Sequence, residues 1–147
     1  MSEAQAVPHG SRVVVLRWPQ AARSVPLARH ELRLALERWG WGAMEDVAVL
    51  VLSELLANAV RHARVPGREI ETRFTRRERS LRLEVHDASG KRPSMTVPFE
   101  GAAGGRGLLL VDALATTWGV DGRHGPGKQV WAELAVDAGA EEGAHRP

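Results

Sequence analysis

The stretch Ser53-Glu54-Leu55-Leu56-Ala57-Asn58-Ala59-Val60-Arg61-His62 lies in a run from Met44 to Ala63 that contains neither Gly nor Pro and is apolar around most of its circumference. Such a run predicts a largely buried helix. Glu54, Asn58 and either Arg61 or His62 fall at i, i+4 and i+7 or i+8, which aligns them in one polar stripe. A carboxylate and an amide on a mostly buried helix need partners. Mg²⁺ with phosphate would supply them, because Mg²⁺ takes oxygen ligands such as an amide carbonyl and keeps waters and substrate phosphates in its octahedron. A neighbouring Glu can serve as a general base. The same stripe also reads as the wet face of an ordinary amphipathic helix, and the residues alone leave both readings open.

Upstream, Arg12 to Trp18 is β-branched and apolar and stops at Pro19, which predicts a strand placed at a sheet edge. Leu27, Leu32, Leu36 and Trp39 then recur at roughly helical spacing between Ser24, a capping residue type, and Gly40, with Pro26 suited to a first turn. This predicts an amphipathic helix. Downstream, Pro66 and Gly67 close the deciding helix. Glu69–Arg76 and Ser80–His86 alternate apolar and polar residues and predict a hairpin with one solvated face. The span from Asp87 to Gly105 is rich in Gly, Pro and Ser, as in a functional loop or lid. A short helix is expected from Gly107 to Leu114, then two strands, Thr116–Val120 and Gln129–Val136. Residues 1–11 read as a flexible N-terminus and Asp137–Pro147 as a disordered tail, flanking one domain over residues 12–136. The expected fold class is α+β, a two-layer α/β sandwich whose mixed, mostly antiparallel sheet carries helices on one face.

Three further blocks carry chemistry. Val85-His86-Asp87-Ala88-Ser89-Gly90 puts Asp87 at the end of an alternating strand, where an ionised carboxylate can accept a hydrogen bond from an adenine amine. Ordinary turn chemistry explains the same residues. Gly101-Ala102-Ala103-Gly104-Gly105-Arg106-Gly107-Leu108 leads into a helix, and the unpaired amides of a helix start form an anion site suited to phosphates. It is neither a P-loop, lacking Gly-Lys-Ser/Thr, nor a dinucleotide fingerprint, and a flexible linker is the plain alternative. Gly125-Pro126-Gly127-Lys128-Gln129-Val130-Trp131 reads as a turn into a strand.

In this order the four blocks resemble the ATP-site boxes of the GHKL ATPases, the superfamily of gyrase, the histidine kinases and the mismatch-repair ATPase, over about Arg12 to Val136. Glu54-Leu55-Leu56-Ala57-Asn58-Ala59, Gly105-Arg106-Gly107-Leu108 and Gly127-Lys128-Gln129-Val130-Trp131 are most similar to the anti-sigma factor serine/threonine kinases and their stand-alone actinobacterial-type relatives. The resemblance implies the Bergerat ATP-binding fold with ATP and Mg²⁺ as cofactors. Asn58 would coordinate Mg²⁺, Glu54 would be the catalytic base, and Asp87, with Ser89 and Gly90 of its block, would take the adenine side. Gly104, Gly105, Arg106 and Gly107 would wrap the phosphates, and Leu108 would belong to the same cofactor site. Two departures stand out: Asp-x-Gly of the second block is Asp87-Ala88-Ser89, and Gln129 takes the place of a Thr near the adenine. Both replacements can still hydrogen-bond.

Composition narrows the remaining classes. With 147 residues the chain suits one domain with a sizeable core. It has no Cys, hence no disulfide framework or thiolate metal site, which fits a reducing cytoplasm. No stretch reaches the roughly 20 apolar residues of a membrane span, and none resembles a signal peptide. The net charge is only +2; the pI of 9.9 arises because the cations are nearly all arginine, scattered along the chain. Neither a basic block nor an aromatic stacking platform argues for nucleic acid.

Two functions follow from the resemblance. One is a protein kinase that phosphorylates a Ser or Thr of an anti-anti-sigma (STAS-domain) partner and so regulates transcription. The other is a non-catalytic, ATP-dependent module that sequesters a sigma factor or other partner. A homodimer is implied by the resemblance alone. A sensor histidine kinase catalytic domain is disfavoured because no long phosphoacceptor helix pair precedes the site. A DNA-binding regulator is disfavoured for want of a recognition helix.

Overall fold

A computed structural model describes residues 12–62, 67–89, 103–122 and 127–136. The first strand, β1 (Val13–Trp18), is followed by helix α1 (Ser24–Trp39). Ala28, Leu32, Ala35 and Leu36, at i, i+4, i+7 and i+8, form its buried stripe. Gly40 ends the helix at φ +76°, its N–H turned back to Glu37 and Leu36, while Trp41 N–H donates to Leu36 O at 2.8 Å. These bonds satisfy carbonyls that the last turn would otherwise leave open. Ser24 does not cap the helix. Arg23 is the N-cap residue without a side-chain bond, and the Ser24 hydroxyl donates instead to Pro19 O at 2.7 Å, tying the helix start to the end of β1.

A 3₁₀ turn at Gly42–Met44 leads into α2 (Glu45–His62), with Glu45 and Asp46 in its first turn, where the helix dipole favours carboxylates. Leu52, Leu55 and Leu56 are each at most 2% exposed. Burying each contributes about 1.5–3 kcal/mol. Strands β2 (Ile70–Arg76) and β3 (Ser80–Asp87) form the expected hairpin, then come α3 (Ala103–Leu114), β4 (Thr117–Gly122) and β5 (Lys128–Ala135).

The strands form one sheet in the order β1-β2-β3-β5-β4, with β1 at an edge as expected. All four pairings are antiparallel, so the mixed sheet is corrected to an antiparallel one among the described residues. The crossover through α3 does return β4 parallel to β3. However, β5 inserts between them and pairs antiparallel with both.

Alternation gives the sheet two unlike faces. Leu16, Phe74, Leu83, Val85, Val130 and Ala132 are buried in the core shared with all three helices. Thr72, a polar member of this face, accepts a hydrogen bond from Trp18 Nε1 at 2.9 Å. The other face carries charge. Glu71 pairs with Arg17 and Arg73, and Arg82 pairs with Glu84 and Glu133 while its guanidinium lies 4.4 Å from the Trp131 ring centre. Among the described residues no helix is long and apolar enough to cross a membrane.

Candidate functional site

Helix α2 packs on β3 and β5, and α3 packs on α2, so α2 adjoins each of the other elements that carry the candidate residues. On α2, Glu54 and Asn58 are half-buried, each directly N-terminal to a buried pair, Leu55–Leu56 and Ala59–Val60. Their side chains have no hydrogen bond or ion pair among the described residues, which leaves two oxygen-bearing groups one helical turn apart and open to a ligand. Arg61, at the i+7 place, is exposed. Among the described residues no cluster of three or more acidic or His side chains could hold a metal alone. A Mg²⁺ at Asn58 would draw its other ligands from phosphates and water.

Asp87 closes β3 on the helix-facing side and is 2% exposed. Its Oδ1 accepts the backbone N–H of Ser89 at 2.8 Å, an Asx turn, and the ammonium of Lys128 at 3.0 Å. Its Oδ2 is buried and has no partner among the described residues. A buried carboxylate oxygen without a donor is costly, and a ligand donor would satisfy it. Gly127, at φ +107°, packs so closely on the Asp87 main chain that a Cβ would collide with the Asp87 carbonyl oxygen. A buried acceptor of this kind is suited to a nucleotide base carrying an amine.

The structure brings Lys128, not Gln129, to Asp87. Asp87 stands opposite Lys128 in the β3–β5 ladder, and Gln129 stands opposite His86 on the other sheet face. Gln129 Nε2 reaches Gly122 O at 3.5 Å. Strand alternation is the reason: β5 begins at Lys128, one residue earlier than the sequence suggests, so the inward series of Val130, Ala132 and Leu134 extends back to Lys128. Extrapolating that series would have exposed the signal, since a lysine on a core face needs an acid partner.

The glycine-rich block is also displaced from its expected setting. Helix α3 starts at Ala103, so Gly104, Gly105, Arg106 and Gly107 lie in its opening turns and not in a loop before it. Three glycines cost such a helix about 1 kcal/mol each relative to alanine. Any phosphate contact would then come from the free amides of the α3 N-terminus. Leu108 is 1% exposed and belongs to the core. Gly90 and the remainder of the lid span, 91–102, lie outside the described residues, as do 1–11 and 137–147.

Residues 18–134, from the last residue of β1 almost to the end of β5, match the family model of the histidine kinase-like ATPase domain. The chain belongs to this family. The histidine kinase-like ATPase domain is of GHKL type, and such domains bind ATP, usually with Mg²⁺. No curated protein matches the chain. Among solved structures, it is similar to the histidine kinase domain from the Erythrobacter litoralis EL346 blue-light activated histidine kinase. The TM-score is 0.51 and the identity 19%, over 96% of this chain and 69% of that one. At that identity the likeness shows the fold alone. In this histidine kinase-like ATPase domain, Asp87 Oδ2 has the chemistry to accept a base amine and the Asn58 amide oxygen that of a Mg²⁺ ligand.

Proposed function

We propose that this domain binds Mg-ATP and acts as a serine/threonine protein kinase of the anti-sigma factor type, phosphorylating an anti-anti-sigma STAS-domain partner and so regulating transcription. The observation that carries the nucleotide reading is the buried Oδ2 of Asp87, without a partner among the described residues, an acceptor open to an amine. Glu54 and Asn58, open on the face of α2, support transfer. The resemblance of their block to the anti-sigma kinases supplies the hydroxyl-bearing partner.

In this reading Asp87 accepts from the base, the α3 N-terminus holds phosphate oxygens, and Asn58 offers its amide oxygen to Mg²⁺, which would neutralise phosphate charge. Glu54 takes the proton of the partner's hydroxyl as that oxygen bonds to the γ-phosphorus; the bond to the bridging oxygen breaks and ADP leaves. Most of the work is positioning and charge neutralisation. The test is calorimetric titration with Mg-ATP for wild type, Asn58→Ala and Asp87→Ala, followed by transfer from γ-labelled ATP to a STAS-domain protein. Saturable binding weakened by both substitutions, with label on the partner, is the expected result. Folded wild-type protein that binds no ATP would overturn it. A Glu54→Ala variant that binds ATP and still labels the partner would remove Glu54 from the chemistry. Binding without any transfer by wild type would favour the sequestering module.

A further inference from the structure

The two oxygens of Asp87 are in unlike states. Oδ1 already accepts two bonds, from Ser89 N–H and from the Lys128 ammonium, while Oδ2 accepts none among the described residues. A carboxylate offers about four acceptor positions, two on each oxygen. Oδ1 is therefore filled, and all remaining capacity lies on Oδ2. Lys128 is held firmly in this role. It is 6% exposed, faces Asp87 directly across the β3–β5 ladder, and its ammonium also donates to Ser89 O at 3.3 Å. Two anchors on one ammonium prevent it from swinging away when a ligand arrives.

We infer that Lys128 is a specificity-determining residue of the nucleotide site: by occupying Oδ1 it leaves Asp87 one open oxygen and selects a base with a single exocyclic amine donor over a base with two adjacent donors. The inference rests on the ATP-binding reading above. Adenine presents one 6-amino donor beside the N1 acceptor, and a single oxygen satisfies that donor. Guanine presents N1–H and its 2-amino group side by side, a pair that grips a carboxylate through both oxygens. With Oδ1 taken, one guanine donor is buried without a partner, and an unmet buried donor costs on the order of tenfold in affinity. Lys128 thus excludes guanine without touching the base.

Competition titration against a fluorescent ATP analogue tests this on the full chain, with Mg-ATP, Mg-GTP and Mg-ITP. ITP differs from GTP only in lacking the 2-amino group. Wild type is expected to bind ATP most tightly and to bind GTP no better than ITP. Lys128→Met frees Oδ1, so GTP should gain on both ITP and ATP by on the order of tenfold. Lys128→Arg keeps a donor and should retain the wild-type order. Wild type binding GTP about tenfold tighter than ITP would overturn the inference without any variant, so a Lys128→Met chain that fails to fold cannot shield it. A folded Lys128→Met with the wild-type ratios would overturn the inference and leave ATP binding standing. Wild type that binds no nucleotide would overturn both.

Discussion

Gly127 presses its Cα against the main chain of Asp87, so closely that a Cβ in its place would collide with the Asp87 carbonyl oxygen and the Cα of Ala88. The contact fixes the end of β3 against the start of β5 and so sets the spacing of the Asp87–Lys128 pair. Gly127 also holds φ +107°, a conformation that side-chain-bearing residues adopt only under strain.

Gly127→Ala should therefore lose on both counts. The expected destabilisation is about 1–3 kcal/mol, from strain and from the backbone it must displace. Thermal unfolding would read the loss of stability, and titration with Mg-ATP should show weaker binding in the protein that remains folded. An alanine variant with wild-type melting and affinity would mean that the strand ends part freely.

Asp87→Ala should cost about 3–5 kcal/mol, because it strands the Lys128 ammonium in the core. Adding Lys128→Met to Asp87→Ala removes the stranded charge and should recover most of that stability, yet should not recover nucleotide affinity. Urea unfolding of the two single variants and the double variant separates the fold role of the pair from its ligand role. Recovery of both properties in the double variant would show that Asp87 served the fold alone.

Glu54 and Asn58 are half-buried and free of partners among the described residues, so their removal should leave stability within about 0.5 kcal/mol of wild type. Glu54→Gln should bind Mg-ATP normally and slow phosphoryl transfer by about 10²–10⁴-fold, the usual contribution of a general base. Asn58→Ala should weaken Mg-ATP binding about tenfold, with a smaller effect on nucleotide offered without Mg²⁺. Single-turnover transfer and calorimetry, run in parallel, measure the two effects.

On the outer face of the sheet, burial opposes ionisation of Glu84. The hydrogen bond with His86 at 2.8 Å and the charge of Arg82 outweigh it and hold the carboxyl below its ordinary value. A carboxyl depressed in the fold stabilises the protein above its unfolded value, about pH 4.3, and loses that contribution as pH falls through the lower folded value. Stability should drop in that acid window. Arg82→Met should be destabilising at neutral pH, and its deficit should shrink as acid removes the Glu84 charge in wild type. Urea midpoints from neutral pH down through about pH 3 test this, and a deficit constant across the range would rule it out.

Most of the fold was readable because local patterns and burial agree. The span of α1 from Ser24 to Trp39 matches its spacing and its Gly40 stop, and the β2–β3 hairpin matches its alternation. Ends and caps were less readable. Ser24 has the right chemistry for a cap, yet its hydroxyl bonds Pro19 because the chain reverses there. The start of α3 was misplaced because glycines argue against helix locally, whereas packing of Leu108 and Val111 into the core against α2 favours it.

By itself the sequence determined the order of the elements, their apolar faces and the four blocks with Glu54, Asn58 and Asp87 among them, since all of these depend on neighbours along the chain. The tertiary structure alone decided what stands beside Asp87. Lys128 lies far along the chain, and only the register of β5 against β3, with α3 and β4 intervening, selects it over Gln129. A shift of one residue would have turned Lys128 to the outer face and left the carboxylate a different partner, because side chains alternate strictly across a strand.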